Sequence, residues 1–287
     1  MPVIQRSIVT LCHAAAVSAL LAGPLLASPA LAADAGSAAS APQGEAAKPA
    51  KPLPYLAKEA MPNLADVVIA PPADGTPAQD AERAIIQQTR ALKGQPRWDL
   101  AVIDADVHPE PLLSHFDCAL GIHADEAQAP TLHQLFGRIY QDAKQALKDT
   151  KAKYARPRPF VTLPGTEICE TMNDHLASSA SYPSGHATTG WVAGLVLAEL
   201  VPDRSDAVMA RARSLGESRV VCGVHWPSDV EAGRSGGAAL VAALHGDAAF
   251  RADLEKARAE LAAVRGSAKA GDAQCDITLA AAAERPY

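Results

Sequence analysis

Three short segments of the sequence combine residue types that could bind a small anion and move protons around it. Residues 151–159 place several cations between the end of a predicted helix and two prolines. Residues 181–186 bring a serine, a glycine and a histidine to the start of an apolar stretch, where the free N–H groups of a helix N-terminus favour an anion. Residues 218–229 add an arginine, a histidine and an aspartate.

Each segment also has an ordinary structural explanation. The cations are typical of a solvated helix end that the helix dipole favours, and Ser184 could be a simple helix cap with His186 beside it. In the third segment Pro227 suits a first helical turn, so Asp229 would lie on the same helix face as His225 and hold its imidazole. A capping histidine beside a surface acid would produce the same pattern.

The elements that must position these segments are predicted to be helices. The chain is rich in alanine and contains only 4% aromatic residues, which favours helices over sheet. The clearest amphipathic pattern runs from Thr131 to about Tyr154, whereas residues 160–182 have no sustained period and are expected to form a long loop. Further helices are predicted over about 79–92, 184–200, 203–217 and 248–264, and one is predicted to begin near Pro227.

Charge and hydropathy exclude two classes of partner. The formal net charge of the 287 residues is -6 at pH 7 and the basic residues form no long run, so nucleic acid is not an expected partner. The most apolar internal stretch, residues 187–200, is short for a membrane span and carries Glu199, which suits a buried core helix.

The N-terminal segment has the pattern of a secretory signal peptide. Arg6 precedes an apolar stretch, and residues 30–32 offer a small-x-small cleavage pattern. An uncleaved membrane anchor is the alternative, but Pro24 and the cleavage pattern favour removal. The chain is therefore divided into a signal peptide at 1–32, a disordered Ala/Pro-rich linker at 33–54, one helical domain at 55–265 and a C-terminal tail at 266–287.

Cysteine usage agrees with export. Removal of the signal peptide would leave an even number of cysteines, which favours two disulfides in an oxidising compartment. The residues alone leave all three connectivities open. The cysteines are Cys118, Cys169, Cys222 and Cys275.

Taken together, the three segments carry a signature that no one of them carries alone. The matching positions are Lys151-x6-Arg158-Pro159, Pro183-Ser184-Gly185-His186 and Ser218-Arg219-x5-His225-x3-Asp229. Their spacing resembles that of the type 2 phosphatidic acid phosphatase superfamily. Within it, the signal peptide, the Ser-Tyr-Pro-Ser-Gly-His form of the second motif and the Pro71-Pro72 turn resemble the bacterial class A non-specific acid phosphatases. The chain departs from them at Ala180, where they usually have Gly, and at Ala187, where they usually have Thr.

The resemblance implies an all-α fold, a single helical bundle of the acid phosphatase/vanadium haloperoxidase type. It implies that His225 attacks phosphorus, that Asp229 orients His225, and that His186 protonates the leaving oxygen and later activates water. The phosphate would be bound by Lys151, Arg158, Ser184, Gly185 and Arg219. One histidine must be neutral and the other cationic, which favours mildly acid pH. The implied disulfides are Cys169–Cys222 and Cys118–Cys275.

The expected protein is thus a periplasmic or secreted, vanadate-inhibited acid phosphatase that acts on small phosphomonoesters. It needs no metal or other cofactor and has no membrane contact after signal cleavage, and a homo-oligomer is left open. One alternative is a vanadium-dependent haloperoxidase, in which His225 would ligate vanadium. The other is a non-catalytic phosphate-binding protein, which would not need His186 together with the His225 and Asp229 pair.

Other polar clusters are weaker candidates. A metal site could be built from His108, Glu110, His115, Asp117 and His123. Pro109 and Pro111 interrupt regular helical presentation of that cluster, so a structural or surface role is favoured. Asp104 and Asp106 could bind a hard cation but are expected to be solvated, and Trp226 could either line the site or belong to the core.

Overall fold

All regular structure in the described part of the chain is helical. The computed structural model describes residues 51–267 and 273–287, and no strand occurs within these ranges, so the all-α prediction is confirmed. The predicted signal peptide and residues 33–50 of the predicted linker lie outside the described residues. The α-helices are α1 (Leu64–Val67), α2 (Pro77–Thr89), α3 (Pro96–Ile103), α4 (Pro109–Ser114), α5 (Asp117–Leu120), α6 (Pro130–Tyr154), α7 (Pro159–Thr162), α8 (Asp174–Ser178), α9 (Gly185–Leu200), α10 (Ser205–Val221), α11 (Pro227–Leu244), α12 (Ala248–Ser267) and α13 (Ala273–Ala283), with 3-10 turns at Lys58–Ala60, Arg90–Leu92 and Pro202–Arg204.

Helix α9 packs against α10, α11 and α6 and forms the centre of the domain. Small residues allow this packing to be close. A Cβ added at Gly194 would lie 2.4 Å from the Cβ of Ala212 on α10, and one added at Gly237 of α11 would lie 3.0 Å from the carbonyl oxygen of Thr188. The first turn of α9, which carries the second motif, is therefore held against the helices that carry the third.

Helix α6 presents the apolar stripe that its sequence predicts, and α12 packs along it. The stripe residues Leu132, Leu135, Ile139, Ala143, Ala146 and Leu147 are all buried. Asp142 is buried on the same helix and accepts backbone N–H groups from Tyr55 and Leu56, each at 2.9 Å. Arg138 donates to the carbonyl oxygens of Leu53 and Pro54. Contacts with the domain therefore begin before the predicted boundary at residue 55.

Part of the segment predicted as a C-terminal tail is helix α13. It packs against α3 and α10, Cys275 forms a disulfide with Cys118, and Arg213 donates to the carbonyl oxygen of Ala282 at 2.9 Å. These contacts are long-range, so local sequence pattern alone did not reveal them.

Several helix bounds differ modestly from the prediction. Helix α10 continues to Val221, beyond the predicted end at residue 217, and the predicted loop 160–182 contains the short helix α8 and all but the first residue of α7. Among the described residues, none of the helices combines the length and the hydrophobicity that crossing a bilayer requires.

Replacing Gly194 by Ala is expected to destabilise the domain. Its new methyl group would meet the Cβ of Ala212, and neither backbone can yield without a shift of α9 against α10. We expect the free energy of unfolding to fall by about 1–3 kcal/mol, measured by denaturant unfolding with the disulfides intact.

Gly236→Ala is the matched control, because a Cβ there would meet only the flexible end of Leu64. Its unfolding free energy should stay within about 1 kcal/mol of the unsubstituted protein. Equal effects of the two substitutions would show that the α9–α10 approach is not a tight contact.

Candidate active site

The first motif enters the site where α6 ends. The helix ends at Tyr154, and Ala155 adopts a left-handed conformation with φ of 43° that turns the chain out of the helix. In the segment that follows, Arg156 and Arg158 are buried while Pro157 between them is exposed. The turn therefore directs both guanidinium groups into the domain.

Arg158 is fixed by contacts with both of the other motifs. Its Nε donates to the carbonyl oxygen of Ser179 at 3.1 Å, and its Nη1 donates to the carbonyl oxygen of Val224 at 2.9 Å. The same Nη1 lies 3.1 Å from Nε2 of His225. Half-buried Lys151 donates from Nζ to the carbonyl oxygen of Ala180 at 2.8 Å. Both cations of the first motif thus lie against the loop that precedes Ser184.

The second motif occupies the first turn of α9. Ser184 is its N-cap, and the Ser184 hydroxyl accepts the N–H of Ala187 at 3.3 Å. The backbone N–H of Ser184 donates to the carbonyl oxygen of Asp229 at 2.9 Å. Gly233 makes this approach feasible, since a Cβ there would lie 2.7 Å from the Ser184 carbonyl oxygen. Gly185 begins the helix, so its N–H lies at the positive end of the helix dipole.

His186 follows in the same turn and contacts the chain after α3. Its Nε2 lies 2.9 Å from the carbonyl oxygen of Ala105. A carbonyl oxygen can only accept, so Nε2 carries a hydrogen, and Nδ1 is the nitrogen that gains or loses the second proton. This contact sets the orientation of the imidazole.

The third motif lies in the tight connection between α10 and α11. Gly223 has a φ of 76°, and a Cβ there would lie 3.1 Å from the carbonyl oxygen of Glu167, so only glycine fits this turn. Two residues later His225 is almost fully buried, with Nδ1 3.3 Å from Oδ2 of Asp229. Nδ1 therefore carries the hydrogen, and Nε2 presents its lone pair next to Arg158.

Asp229 is the polar centre of this arrangement and is fully buried. Its Oδ2 also accepts the N–H of Trp226 at 2.8 Å, while its Oδ1 accepts Nη1 of Arg156 at 2.7 Å. Burial raises the pKa of Asp229, and the Arg156 guanidinium opposes that rise. Arg156 thereby favours the charged carboxylate that holds His225.

Sequence reasoning missed the role of Arg156. Its Nη2 lies 2.6 Å from both Oε1 of Gln79 and Oε2 of Glu82, so it links α2 to Asp229. Glu82 in turn accepts the N–H of Ser228, at the start of α11, at 2.7 Å. The available signal was a cation inside the first motif, yet nothing in the local pattern showed that it faces an acid 73 residues away.

Arg219 comes from the last turn of α10 and is almost fully buried. Its Nη2 forms an ion pair with Oε1 of Glu170 at 2.5 Å. Its Nε and Nη1 are buried and meet no hydrogen-bond partner among the residues described. The guanidinium thus keeps two donors free for an anion, and Glu170 is a second residue that sequence reasoning did not single out.

The electrostatics of the site favour neutral histidines when no anion is bound. Burial and the positive charges of Arg158, Lys151 and Arg219 hold the pKa of His225 well below its ordinary range. Burial and Arg219 do the same to the pKa of His186. Burial, with Arg158 nearby, lowers the pKa of Lys151 to about 8. A bound dianion would reverse the effect of these cations on the histidines.

The disulfides follow the pairing that the resemblance implied. Cys169 is bonded to Cys222, and Cys118 is bonded to Cys275. The first bond joins the loop after α7 to the end of α10, three residues before His225. The N–H of Cys169 also donates to the carbonyl oxygen of Cys222 at 3.3 Å.

The weaker candidates have other roles. Asp104 is fully buried beside Arg211 and Ser218 instead of being solvated, because the turn after α3 packs onto α10. Trp226 is a buried residue whose indole N–H donates to the carbonyl oxygen of Pro157 at 3.0 Å. Asp106 is exposed and pairs with His108 at 2.6 Å.

The histidine and acid cluster around α4 and α5 does not assemble a metal site. His123 pairs with Asp117 at 2.7 Å, and His115 contacts the carbonyl oxygen of Asp106 at 2.7 Å. Over residues 51–267 and 273–287, no group of three or more His, Cys, Asp or Glu side chains is arranged to hold a metal ion. Glu110 lines the same cavity as Asp117 and His123.

Three cations, two of them buried, lie beside two histidines and an acid, an arrangement suited to phosphoryl chemistry, and comparison with known proteins identifies the class of protein. Residues 139–251, which contain all three motifs, match the PAP2 superfamily, and the chain belongs to that family. Within it, the chain is similar to bacterial acid phosphatases over most of its length. The chain is therefore an enzyme, a phosphatase of the non-specific acid phosphatase group.

Three relatives illustrate this similarity. The acid phosphatase of Zymomonas mobilis is 43% identical over 202 residues, which cover 70% of this chain and 76% of that protein. The non-specific acid phosphatase of Providencia stuartii is 38% identical, over 64% of this chain and 75% of that protein. The non-specific acid phosphatase of Salmonella typhimurium is 36% identical, over 67% of this chain and 77% of that protein.

Replacing Arg156 by Met is expected to damage both stability and activity. The change leaves the buried Asp229 without its cation, which should lower the free energy of unfolding by about 3–5 kcal/mol. Arg156 lowers the pKa of Asp229, so its removal should raise that pKa. The half-maximal pH on the acid side of the activity profile should therefore move upward. Denaturant unfolding and a pH–rate profile measure the two effects.

Arg83→Met is the matched control. Arg83 also lies over the ring of Trp226: its Cζ is 5.9 Å from the ring centroid, against 5.2 Å for the Cζ of Arg156. The ion pair of Arg83 with Asp74, however, is exposed. Its loss should cost at most about 1 kcal/mol and leave the pH profile unchanged. A similar loss from both substitutions would contradict the assigned role of Arg156.

Proposed function

We propose that this phosphatase is exported and hydrolyses small phosphate monoesters through a phosphohistidine intermediate, without a metal ion. The observation that carries the proposal is the environment of His225. Its Nδ1–H faces Asp229, and its Nε2 lone pair lies 3.1 Å from the Arg158 guanidinium. A nucleophilic nitrogen is thus held beside a cation that can bind the group under attack.

The phosphate oxygens would be bound by cations and by the start of α9. Arg219 offers two buried donors that no described residue uses, and Arg158 and Lys151 add charge that lowers the pKa of His225. The Ser184 hydroxyl and the N–H of Gly185 lie at a helix N-terminus, which favours anions. These groups would stabilise the charge that spreads over the oxygens in the transition state.

In the first step, Nε2 of His225 attacks phosphorus and the bond from phosphorus to the ester oxygen breaks. Protonated His186 gives its proton to the leaving oxygen and becomes neutral. The phosphorylated imidazole gains positive charge, which the Asp229 carboxylate at Nδ1 stabilises. Because the Nε2 hydrogen of His186 binds Ala105, the transferred proton would be the one on Nδ1.

In the second step, neutral His186 takes a proton from water while the water oxygen attacks phosphorus. The phosphorus–nitrogen bond breaks, inorganic phosphate is released and His225 is neutral again. Each residue therefore ends the cycle in its starting state.

Export is supported by the sequence of residues 1–32 and by chemistry in the described domain. The apolar segment and cleavage pattern are those of a signal peptide, and the domain holds the disulfides Cys118–Cys275 and Cys169–Cys222. Disulfides persist in oxidising compartments. A periplasmic or secreted location accounts for both features.

His225→Ala is expected to abolish turnover of p-nitrophenyl phosphate, measured at acid pH with EDTA present. Alkaline quenching, which preserves phosphohistidine, followed by peptide mass spectrometry should find the phosphoryl group on His225 of the active protein. Normal activity in the variant, or loss of activity of the unsubstituted protein in EDTA, would contradict the proposal. His245→Ala is the control: His245 caps the C-terminal end of α11, opposite the end that carries Asp229, and pairs with Glu199, so this variant should be fully active.

His186→Ala separates the two steps in the same assay. A good leaving group such as p-nitrophenolate needs little protonation, so the variant should still release a burst of it. The variant should then accumulate phosphoenzyme, because no base activates water. For alkyl phosphates the rate of phosphoenzyme formation should fall by about 10²–10⁴-fold. Absence of a burst, or an equal loss in the rate of phosphoenzyme formation from both kinds of ester, would remove His186 from its proposed role.

Binding of inorganic phosphate is expected to raise the pKa of His186. Burial and the charge of Arg219 hold this pKa low in the free protein, and a dianion beside Arg219 offsets that charge. An NMR titration of the His186 ring, assigned with His186→Gln, should show a higher midpoint with phosphate than without it. An unchanged midpoint in a protein that binds phosphate would show that His186 does not sense the bound group.

A further inference from the structure

We propose that Glu170 competes with the phosphate group for Arg219 and thereby sets the affinity of the site for substrate and product. The inference rests on the proposed function, in which Arg219 binds phosphate. Glu170 is neither a nucleophile nor a proton carrier in that scheme. It is a positioning residue that acts through Arg219.

The Glu170 carboxylate is in direct contact with the Arg219 guanidinium. Oε1 of Glu170 lies 2.5 Å from Nη2 of Arg219, and the Arg219 side chain is only 1% exposed. In the described residues no other carboxylate lies within ion-pair distance of Arg219, and its Nε and Nη1 have no partner there. Glu170 therefore neutralises Arg219, and Nε and Nη1 are the Arg219 nitrogens left to bind a phosphate group.

The backbone just before Glu170 is held in place by a disulfide and by contacts of Glu167. The preceding residue, Cys169, is bonded to Cys222 at the end of α10. On the same loop, the carbonyl oxygen of Glu167 accepts from Arg90, and the Glu167 carboxylate pairs with Lys93. The loop is thus tied at residues 167 and 169, immediately before Glu170, so the Glu170 side chain can leave Arg219 while this backbone stays in place.

The Glu170 side chain borders an open groove into which it can rotate. Its exposed fraction is 20%, against 1% for Arg219. It lines an open groove of about 500 Å³ together with Trp98, Val102 and Ile168. When a phosphate dianion binds Arg219, the Glu170 side chain can rotate into this groove, which separates its carboxylate from the anion. The disulfide-bonded backbone need not move.

The consequence is an affinity cost that is the same for every phosphate-bearing ligand. The ion pair must be broken or shared whether the ligand is the ester or inorganic phosphate, so both bind more weakly than the bare cations would allow. An interaction lost equally from ground state and transition state changes KM and leaves kcat unaltered. Glu170 would therefore favour release of the inorganic phosphate product.

The test compares Glu170→Gln with Glu167→Gln, using inorganic phosphate as the probe. Both changes remove one negative charge from the same loop, but Glu167 pairs with Lys93 and not with Arg219. Calorimetric Kd values and competitive inhibition constants for phosphate, with KM and kcat for p-nitrophenyl phosphate, should be measured at one pH and ionic strength. Glu170→Gln should bind phosphate about tenfold more tightly, with KM lowered and kcat unchanged.

Two further variants keep the test decisive. Glu170→Asp retains the negative charge, so its Kd for phosphate should stay near that of the unsubstituted protein. Glu170→Ser removes the carboxylate and leaves a smaller side chain, and it should tighten phosphate binding as Glu170→Gln does. Either variant suffices if the other fails to fold. Glu167→Gln should leave all constants unchanged.

The outcomes separate the inference from the function on which it rests. If the unsubstituted protein binds phosphate and removal of the Glu170 carboxylate leaves that affinity unchanged, Glu170 does not compete for Arg219. Weaker phosphate binding in both neutral variants would also overturn the inference, since it would mean that Glu170 holds Arg219 in its binding orientation. If the unsubstituted protein does not bind phosphate at all, the proposed function itself is wrong.

Discussion

The domain gathers positive charge in its interior, and much of the surrounding structure depends on how that charge is compensated. Arg158 and Arg219 are buried and Lys151 is half-buried. Removing a cation from water is costly unless a carboxylate or hydrogen-bond acceptors replace the solvent. Backbone carbonyl oxygens accept hydrogen bonds from Lys151 and Arg158, and one carboxylate, that of Glu170, pairs with Arg219. This incomplete compensation is suited to a dianion, and the same charge lowers the pKa of the neighbouring histidines.

A second buried charge holds the three motifs together. Asp229 accepts from Trp226 and Arg156 through its carboxylate and from Ser184 through its backbone carbonyl, and it lies beside the Nδ1 of His225. Segments that are distant in sequence therefore meet at one residue. Close helix packing makes this meeting feasible, because glycines on α11 leave room for the backbone of α9. Stability and site geometry thus depend on the same contacts.

The helical architecture could be predicted because its signals are local. The period of α6, the proline at the start of α11 and the apolar run of α9 each reflect a preference of a few neighbouring residues. Where the structure differs from the sequence prediction, the cause is a contact between residues far apart in the chain. Helix α13 owes its position to α3, α10 and the disulfide from Cys118. The burial of Asp104 likewise depends on Arg211, 107 residues away. Contacts across such separations leave no periodic trace in the sequence.

By itself the sequence determined the class of fold, the family and the residues proposed to do the chemistry, because motif spacing and residue type are properties of the chain. Only the tertiary structure decided which partners those residues have. It placed Arg156 against Asp229 and Glu170 against Arg219, and it directed Nε2 of His225 toward Arg158. Protonation and affinity follow from such contacts, since the energy of a buried charge depends on what lies within a few ångströms of it and not on its neighbours along the chain.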